Sequence, residues 1–210
     1  MYTGNMEKTN KAIQTWLGSG SINIFGRPFA GKDTQGRALT DMFDGTLLGG
    51  GEILRNSEIP EHVKAALKVG KLVPTDDYIR IVLPYLSRQD FNGKPLILSS
   101  VGRWIGEEAG VLQVAEASGH PLKAVVYLDL NEKTVRDRWQ ALHKLNDRGD
   151  RHDDTLEVLD TRLKEFQEKT LPVIEKYREL GLLIEIDGEQ SVALVTKSIL
   201  KELAEFAKNR

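Results

Sequence analysis

The densest chemistry in the chain lies in Gly26-Arg27-Pro28-Phe29-Ala30-Gly31-Lys32-Asp33-Thr34-Gln35. Two glycines bound the loop and a lysine follows the second. This spacing lets successive backbone N–H groups turn inward on an anion. The apolar run Ile22-Asn23-Ile24-Phe25 precedes it, and a helix-like pattern follows to about Met42. Strand, glycine-bounded loop and helix N-terminus are the context of a phosphate-binding loop. The helix dipole would add to the loop amides, and Lys32 would bridge terminal phosphates. A strand-to-helix turn with a solvated lysine is the plainer alternative.

The rest of the chain must position that loop. Its 210 residues suffice for one good-sized domain, and 40% hydrophobic with 29% charged residues is an ordinary globular balance. A net charge of −2 gives no support to a nucleic-acid partner. The absence of cysteine excludes disulfides, thiolate nucleophiles and a cysteine zinc site. No apolar run reaches membrane-spanning length, and Met1–Gly20 lacks a signal-peptide core, so a cytoplasmic protein without a membrane partner is expected.

A short helix is expected over Glu7–Leu17, and strands near Gly45–Leu48, Pro95–Leu98, Ala124–Leu130 and Leu182–Ile186. Helices are expected over Pro60–Val69, Glu107–Ser118 and Glu132–Leu145. Another, capped by Asp76-Asp77, should reach Arg88 with a kink or break at Pro84. From Thr155 the residues Leu156, Leu159, Leu163, Phe166 and Thr170 step by three and four. Pro172 interrupts that stripe, and Val173 and Tyr177 resume it. Val192, Val195, Ile199, Leu203 and Phe206 mark a closing helix. Strands alternating with helices imply right-handed crossovers and a mostly parallel sheet covered on both faces, an α/β fold. One domain over residues 21–210, preceded by an extension over 1–20 and carrying two insertions, accounts for the pattern.

Several blocks, in order, resemble the adenylate kinase family of nucleoside monophosphate kinases. Gly26–Gln35 is similar to its phosphate loop. Gly51-Glu52-Ile53-Leu54-Arg55 is similar to its Gly-Asp-Met-Leu-Arg block, and Gly70-Lys71-Leu72-Val73-Pro74 to the loop closing over the monophosphate. Val101-Gly102-Arg103 stands where the family has Phe-Pro-Arg. Arg151-His152-Asp153-Asp154 with Arg162 resembles the Arg-x-Asp-Asp…Arg signature. The resemblance spans about Ser21 to Phe206. It implies a P-loop NTPase-like three-layer αβα fold with a central, mostly parallel sheet. It also implies a monophosphate-binding insertion at about 47–75 and a short lid at about 144–153.

The activity implied is reversible transfer of the ATP γ-phosphoryl group to a nucleoside monophosphate, AMP first, with Mg2+ and by a monomer. A catalytically weak nucleotide-binding module and a kinase for another small metabolite are the alternatives. The resemblance assigns ATP to Gly26, Pro28, Ala30, Gly31, Lys32, Asp33, Thr34, Arg138 and Gln190. It assigns the monophosphate to Gly50, Arg55, Leu72, Val73, Arg103 and Glu107, and catalysis to Lys32, Arg103, Arg138, Arg151 and Arg162. Guanidinium forks suit phosphate better than ammonium groups. Asp153 and Asp154 would orient these arginines.

Three departures from the family matter. Ser99 stands where relatives place an Asp that orders water around Mg2+, and Asp33 stands where they have glycine. Asp33 is therefore expected to supply the metal carboxylate that Ser99 lacks, with helix capping as the alternative. At Glu107 the family has a Gln that reads adenine, and at Gly50 a Thr. A carboxylate only accepts hydrogen bonds, which suits guanine's N–H groups better. A preference shifted toward GMP, or a Glu107 pointing to solvent with AMP retained, are the two expectations.

Overall fold

Strand β1 (Ser21–Gly26) is buried along its whole length. Its side chains divide by the two-residue period of a strand. Ile22 and Ile24 face one layer with Ala124, Val126 and Leu128, and Phe25 faces the other with Val125 and Tyr127. The structure is a computed structural model and describes residues 2–88, 91, 93–144 and 155–210, without the side chains of 2–6 and 144.

β2 (Thr46–Gly49), β3 (Leu96–Ser99), β4 (Leu122–Asp129) and β5 (Leu183–Asp187) join β1 in a sheet of order β2-β3-β1-β4-β5. Every pairing is parallel. Helices α1 (Tyr2–Leu17), α2 (Lys32–Phe43) and α10 (Val192–Lys208) cover one face through Ile13, Leu17, Leu39, Val195, Ile199 and Leu203. Between β2 and β3 come α3 (Gly50–Asn56), α4 (Glu61–Lys68), α5 (Thr75–Ile81) and a 3-10 turn over Leu83–Ser87. They close on a cluster of their own, in which Ile53, Val63, Tyr78 and Val82 meet Leu96 and Leu98. α6 (Glu107–Ala117) follows β3 and α7 (Glu132–Lys144) follows β4. The second face of the sheet is covered by a π turn over Phe166–Thr170 and α9 (Leu171–Glu179), with Phe166, Val173, Ile174 and Tyr177 in its core, while α8 (Leu156–Glu165) sends Leu159 and Leu163 into the first cluster. No helix among the described residues is long and apolar enough to cross a membrane.

Four local expectations are corrected. The first helix starts at Tyr2 rather than Glu7, because docking on α10, with Trp16 edge-on to Phe206, sets it rather than its own weak apolar pattern. The long helix from Thr155 is two helices. Pro172 has no N–H to donate, and the ladder shifts by one residue into the π turn, where the Leu171 N–H reaches the Phe166 carbonyl. Leu156 and Val192, expected in apolar stripes, are 44% and 58% exposed, because each is the first residue of its helix and lies beyond the buried face. Asp77 is no cap, since Pro74 holds that position.

Instead the Asp77 carboxylate, nearly buried, lies 2.6 Å from His62 Nε2 and 2.5 Å from Arg80 Nη2. The hydrogen bond from His62 holds its pKa below the ordinary 3.8, against burial and helped by both neighbouring charges. A depressed carboxylate contributes stability that is complete above 3.8 and is lost as pH falls through the lower folded value. Asp77→Asn should therefore destabilise the protein at neutral pH and converge with the parent below about pH 4. Denaturant unfolding measured from neutral to acid pH checks this; a gap independent of pH would contradict it.

Candidate active site

All five strands run in one direction, so the loops leaving their C-terminal ends gather at one edge of the sheet. β1 lies between β3 and β4, where the chain turns to opposite sides, and open parallel sheets hold ligands at such a switch point. The loop after β1 is tightly built. A Cβ on Gly26 would stand 2.9 Å from the Leu128 carbonyl oxygen, so the close approach requires glycine. Gly31 has φ 88°, and Phe29 holds φ 62°, a strained conformation for a bulky residue. Lys32 Nζ curls back to donate to the carbonyls of Gly26 (3.0 Å) and Arg27 (2.8 Å). Pro28 is half-buried and Ala30 buried within the loop, while Thr34 is exposed on the first turn of α2.

Arg27 turns away from the loop. It reaches Tyr127 Oη, Asp129 Oδ1 and the Leu130 carbonyl, and it stacks over Phe166. Arg138 turns toward the loop: Nη2 donates to the Gly188 carbonyl (2.7 Å) and Nη1 to the Phe29 carbonyl (3.3 Å). It thereby ties α7 to the phosphate loop and to the turn after β5. Gln190 sits on that turn, its amide held by Asp187 at 3.0 Å.

The first two departures from the family pattern meet in space. Ser99 Oγ, at the end of β3, donates to Asp33 Oδ1 at 2.8 Å. The N-cap position of α2 belongs to Gly31, so Asp33 is not the cap.

The loop after Ser99 is clamped by Asn23. Its Nδ2 donates to the Val101 carbonyl (2.7 Å) and its Oδ1 accepts from the Val101 amide (3.2 Å). That clamp aims Arg103 into a cleft, open at its mouth, which Gly50, Leu72, Val73, Tyr78 and Glu107 also line. Burial pushes the Arg103 guanidinium below its ordinary pKa and nearby Arg162 adds to that, while Tyr78, Glu107 and Glu165 oppose it. Its buried Nε has no hydrogen-bond partner. Arg55 lies across the opening of α3, where a Cβ on Gly51 would stand 3.2 Å from its Nη1.

A Cβ on Gly70 would stand 2.9 Å from the Val158 carbonyl oxygen and 3.1 Å from Arg162 Cγ, so the loop over 70–73 packs directly on α8. The Leu72 amide donates to Glu165 Oε2 (2.9 Å), which also takes Lys169 Nζ (2.7 Å).

Glu107 does not point to solvent; it is 1% exposed. Burial raises its pKa, and the amides of Arg103 and Trp104, both bound to Oε2, hold the rise back. Ser99 and Asp33 thus meet at the end of β3, Ser100 and Arg103 line the cleft beside them, and Arg162 is close enough to Arg103 to act on its charge. Arg151, Asp153, Asp154 and the expected lid segment after Lys144 lie outside the described residues. Among the described residues no group of three or more His, Asp or Glu could hold a metal alone.

Sequence reasoning missed Asn23, Tyr78 and Glu165. Asn23 had a signal, a lone amide in the middle of an apolar strand. Tyr78 and Glu165 had none, since Glu165 reads as one more helix acid and its partner Leu72 is 93 residues away.

A family model described as adenylate kinase matches residues 24–182. Curated relatives include the adenylate kinase of Prochlorococcus marinus, 33% identical over 84% of this chain and 95% of its own length. Another, from Bartonella tribocorum, is 32% identical over 85% of this chain and 96% of its own. The adenylate kinase of Methanosarcina mazei is 26% identical over 89% of this chain and all of its own.

Proposed function

Because the chain belongs to the adenylate kinase family, a family of phosphotransferases, we propose that it moves the γ-phosphoryl group of ATP reversibly to AMP, giving two ADP, with Mg2+. What carries this reading is the continuity of the two halves of the site. Ser99 touches the phosphate-loop helix through Asp33, and its neighbour Ser100 lines the cleft of Arg103.

In this reading an oxygen of the AMP phosphate attacks the γ-phosphorus in line. The bond from that phosphorus to the β–γ bridging oxygen breaks, and ADP leaves with the electron pair. The attacking oxygen is already ionised, so no general base is required and catalysis rests on positioning and charge. Lys32 and the loop amides of Gly31, Asp33 and Thr34 hold the donor phosphates, with Gly26, Pro28 and Ala30 shaping the loop. Arg138 and Gln190 flank the rest of the ATP. Arg55 and Arg103 hold the acceptor phosphate, and Leu72, Val73 and Gly50 border its base. Arg162, with Arg138 and Arg151, balances charge on the group in transfer. Closure of α3–α5 over the bound nucleotides excludes water.

The Asp33 carboxylate and the Ser99 hydroxyl are hard oxygen groups within 2.8 Å of each other, a donor set that fits Mg2+. These two residues would hold it. When bound, the ion neutralises charge on the nucleotide phosphates. Asp33→Gly is expected to raise the Mg2+ concentration for half-maximal rate by about tenfold, the weight of one charged contact. It should weaken Mn2+ binding to the ADP complex in calorimetry to a similar extent. Unchanged values in both measurements would remove Asp33 from this role.

The test of the reaction is ADP formation from ATP, AMP and Mg2+ in a coupled assay. Two ADP per AMP consumed is the expected result, and no ADP with folded protein would contradict it.

A further inference from the structure

We propose that the acceptor cleft reads guanine as well as adenine, with Glu107 and Tyr78 as the discriminating pair, so that GMP is a second phosphoryl acceptor. The inference rests on the kinase reading above and concerns the base end of the same cleft.

The polar groups there are left in an unusual state. Glu107 is 1% exposed, and its Oε2 accepts from the backbone amides of Arg103 (2.7 Å) and Trp104 (3.1 Å). Its Oε1 is buried without a partner in full hydrogen-bond geometry, although the Thr75 hydroxyl stands near enough to favour the ionised form. A buried carboxylate oxygen left unsatisfied is costly, and a ligand N–H offered to it relieves that cost. Because Oε2 is fixed by two amides, the side chain cannot swing away to find another donor.

Tyr78, 5% exposed, lines the same cleft. Its hydroxyl oxygen accepts from the Gly102 amide at 2.9 Å, which leaves the O–H proton to donate. A Cβ on Gly50 would stand 2.8 Å from that hydroxyl, so the phenol fills the space that a side chain at position 50 would take. The glycine and the tyrosine are one feature: the cleft's hydroxyl comes from α5 because α3 offers no side chain there.

The cleft therefore presents one carboxylate oxygen, fixed by its partner oxygen's two amide contacts, and one hydroxyl donor. The Watson–Crick edge of guanine carries two adjacent N–H donors beside the O6 acceptor, whereas that of adenine carries one amine beside the lone pair of N1. An adenine amine can satisfy Glu107 Oε1, so AMP is admitted, but N1 then brings a lone pair toward a carboxylate. Guanine brings N–H groups to the carboxylate and O6 to the Tyr78 hydroxyl, with no acceptor facing an acceptor. Sites built from buried polar groups discriminate strongly because a mismatched base leaves those groups unpaired.

The experiment measures kcat/KM for AMP, GMP and IMP with ATP and Mg2+ in the parent protein, in Glu107→Gln and in Tyr78→Phe, with circular dichroism on each. The parent is expected to use GMP with at least one-tenth of the kcat/KM for AMP. IMP, which keeps N1–H and O6 but lacks the 2-amino group, should fall below GMP. Glu107→Gln should lower the GMP-to-AMP ratio by at least tenfold, and Tyr78→Phe should lower it in the same direction even if the first variant folds poorly. A parent ratio below one-tenth, with AMP turned over, overturns this inference and leaves the kinase reading standing. A ratio unchanged in both variants overturns the assignment to Glu107 and Tyr78. Failure of every monophosphate to react overturns the kinase reading, and this inference with it.

Discussion

Lys32→Ala should lower kcat by about 10^3, roughly the 3–4 kcal/mol that one preorganised charge contributes to a transition state of this kind. The ammonium is stored at the loop by the carbonyls of Gly26 and Arg27, and it exchanges those acceptors for phosphate oxygens when the donor arrives. Those carbonyls belong to the loop whose amides face the same anion, and alanine leaves the loop intact but without its cation. Lys32 is only half-buried at the start of α2, and alanine is a good helix former, so the midpoint of thermal unfolding should scarcely move. Lys32→Arg should rescue little, because a planar fork does not fit a cradle shaped for a point charge. Steady-state rates with a melting curve on each variant check the pair of expectations. A fall of less than tenfold would mean that the loop does not seat the donor phosphates.

Arg103→Met should cut kcat/KM for the acceptor by about 10^2 to 10^3 without making the protein less stable. The two halves of that prediction have one cause. Burial and the neighbouring Arg162 both disfavour the Arg103 charge, and its buried Nε has no hydrogen-bond partner. The Arg103 guanidinium is therefore held at a cost, which an arriving phosphate relieves. Removing the guanidinium removes that cost and the function together, the usual trade between stability and activity at such places. The clamp on the loop survives, because Glu107 binds the backbone amide of residue 103 and Asn23 binds Val101. Arg103→Lys should restore charge but only part of the rate, since an ammonium cannot make the paired contacts of a fork. A variant that loses activity and also unfolds several degrees earlier would contradict the account of Arg103 as a group held ready for phosphate.

The features legible in the sequence were those carried by local spacing. Gly26, Gly31 and Lys32 announced the loop because its geometry depends on nearest neighbours, and short apolar strands alternating with helical stripes announced a parallel sheet. The sequence marked Asp33 and Ser99 as two departures from one pattern, with Asp33 as a metal carboxylate or a helix cap, but not the hydrogen bond that joins them. What stayed hidden depends on contacts between distant segments. Tyr78 fills the space beside Gly50, Glu165 binds the Leu72 amide, and Asn23 clamps Val101. None of these partners lies within a helical turn or a strand repeat of the other, so no periodicity records them. The π turn before Pro172 was visible as an interruption, but its form followed from the need to keep Phe166 and Tyr177 in one buried face. The solvent-facing alternative for Glu107 failed for a similar reason. A carboxylate at a helix start reads as exposed until the loop over Arg103 and Trp104 folds onto it.

The central claim is that donor and acceptor phosphates meet in one cleft lined by Lys32, Arg103 and Arg162. The most direct measurement is titration calorimetry with two adenosines joined through five phosphates, a ligand long enough to occupy both halves at once. One molecule bound per chain, tighter than either ATP or AMP alone and weakened by Lys32→Ala and by Arg103→Met separately, is the result expected. Two ligands bound independently per chain, or binding indifferent to Arg103, would show that the two halves do not share a site.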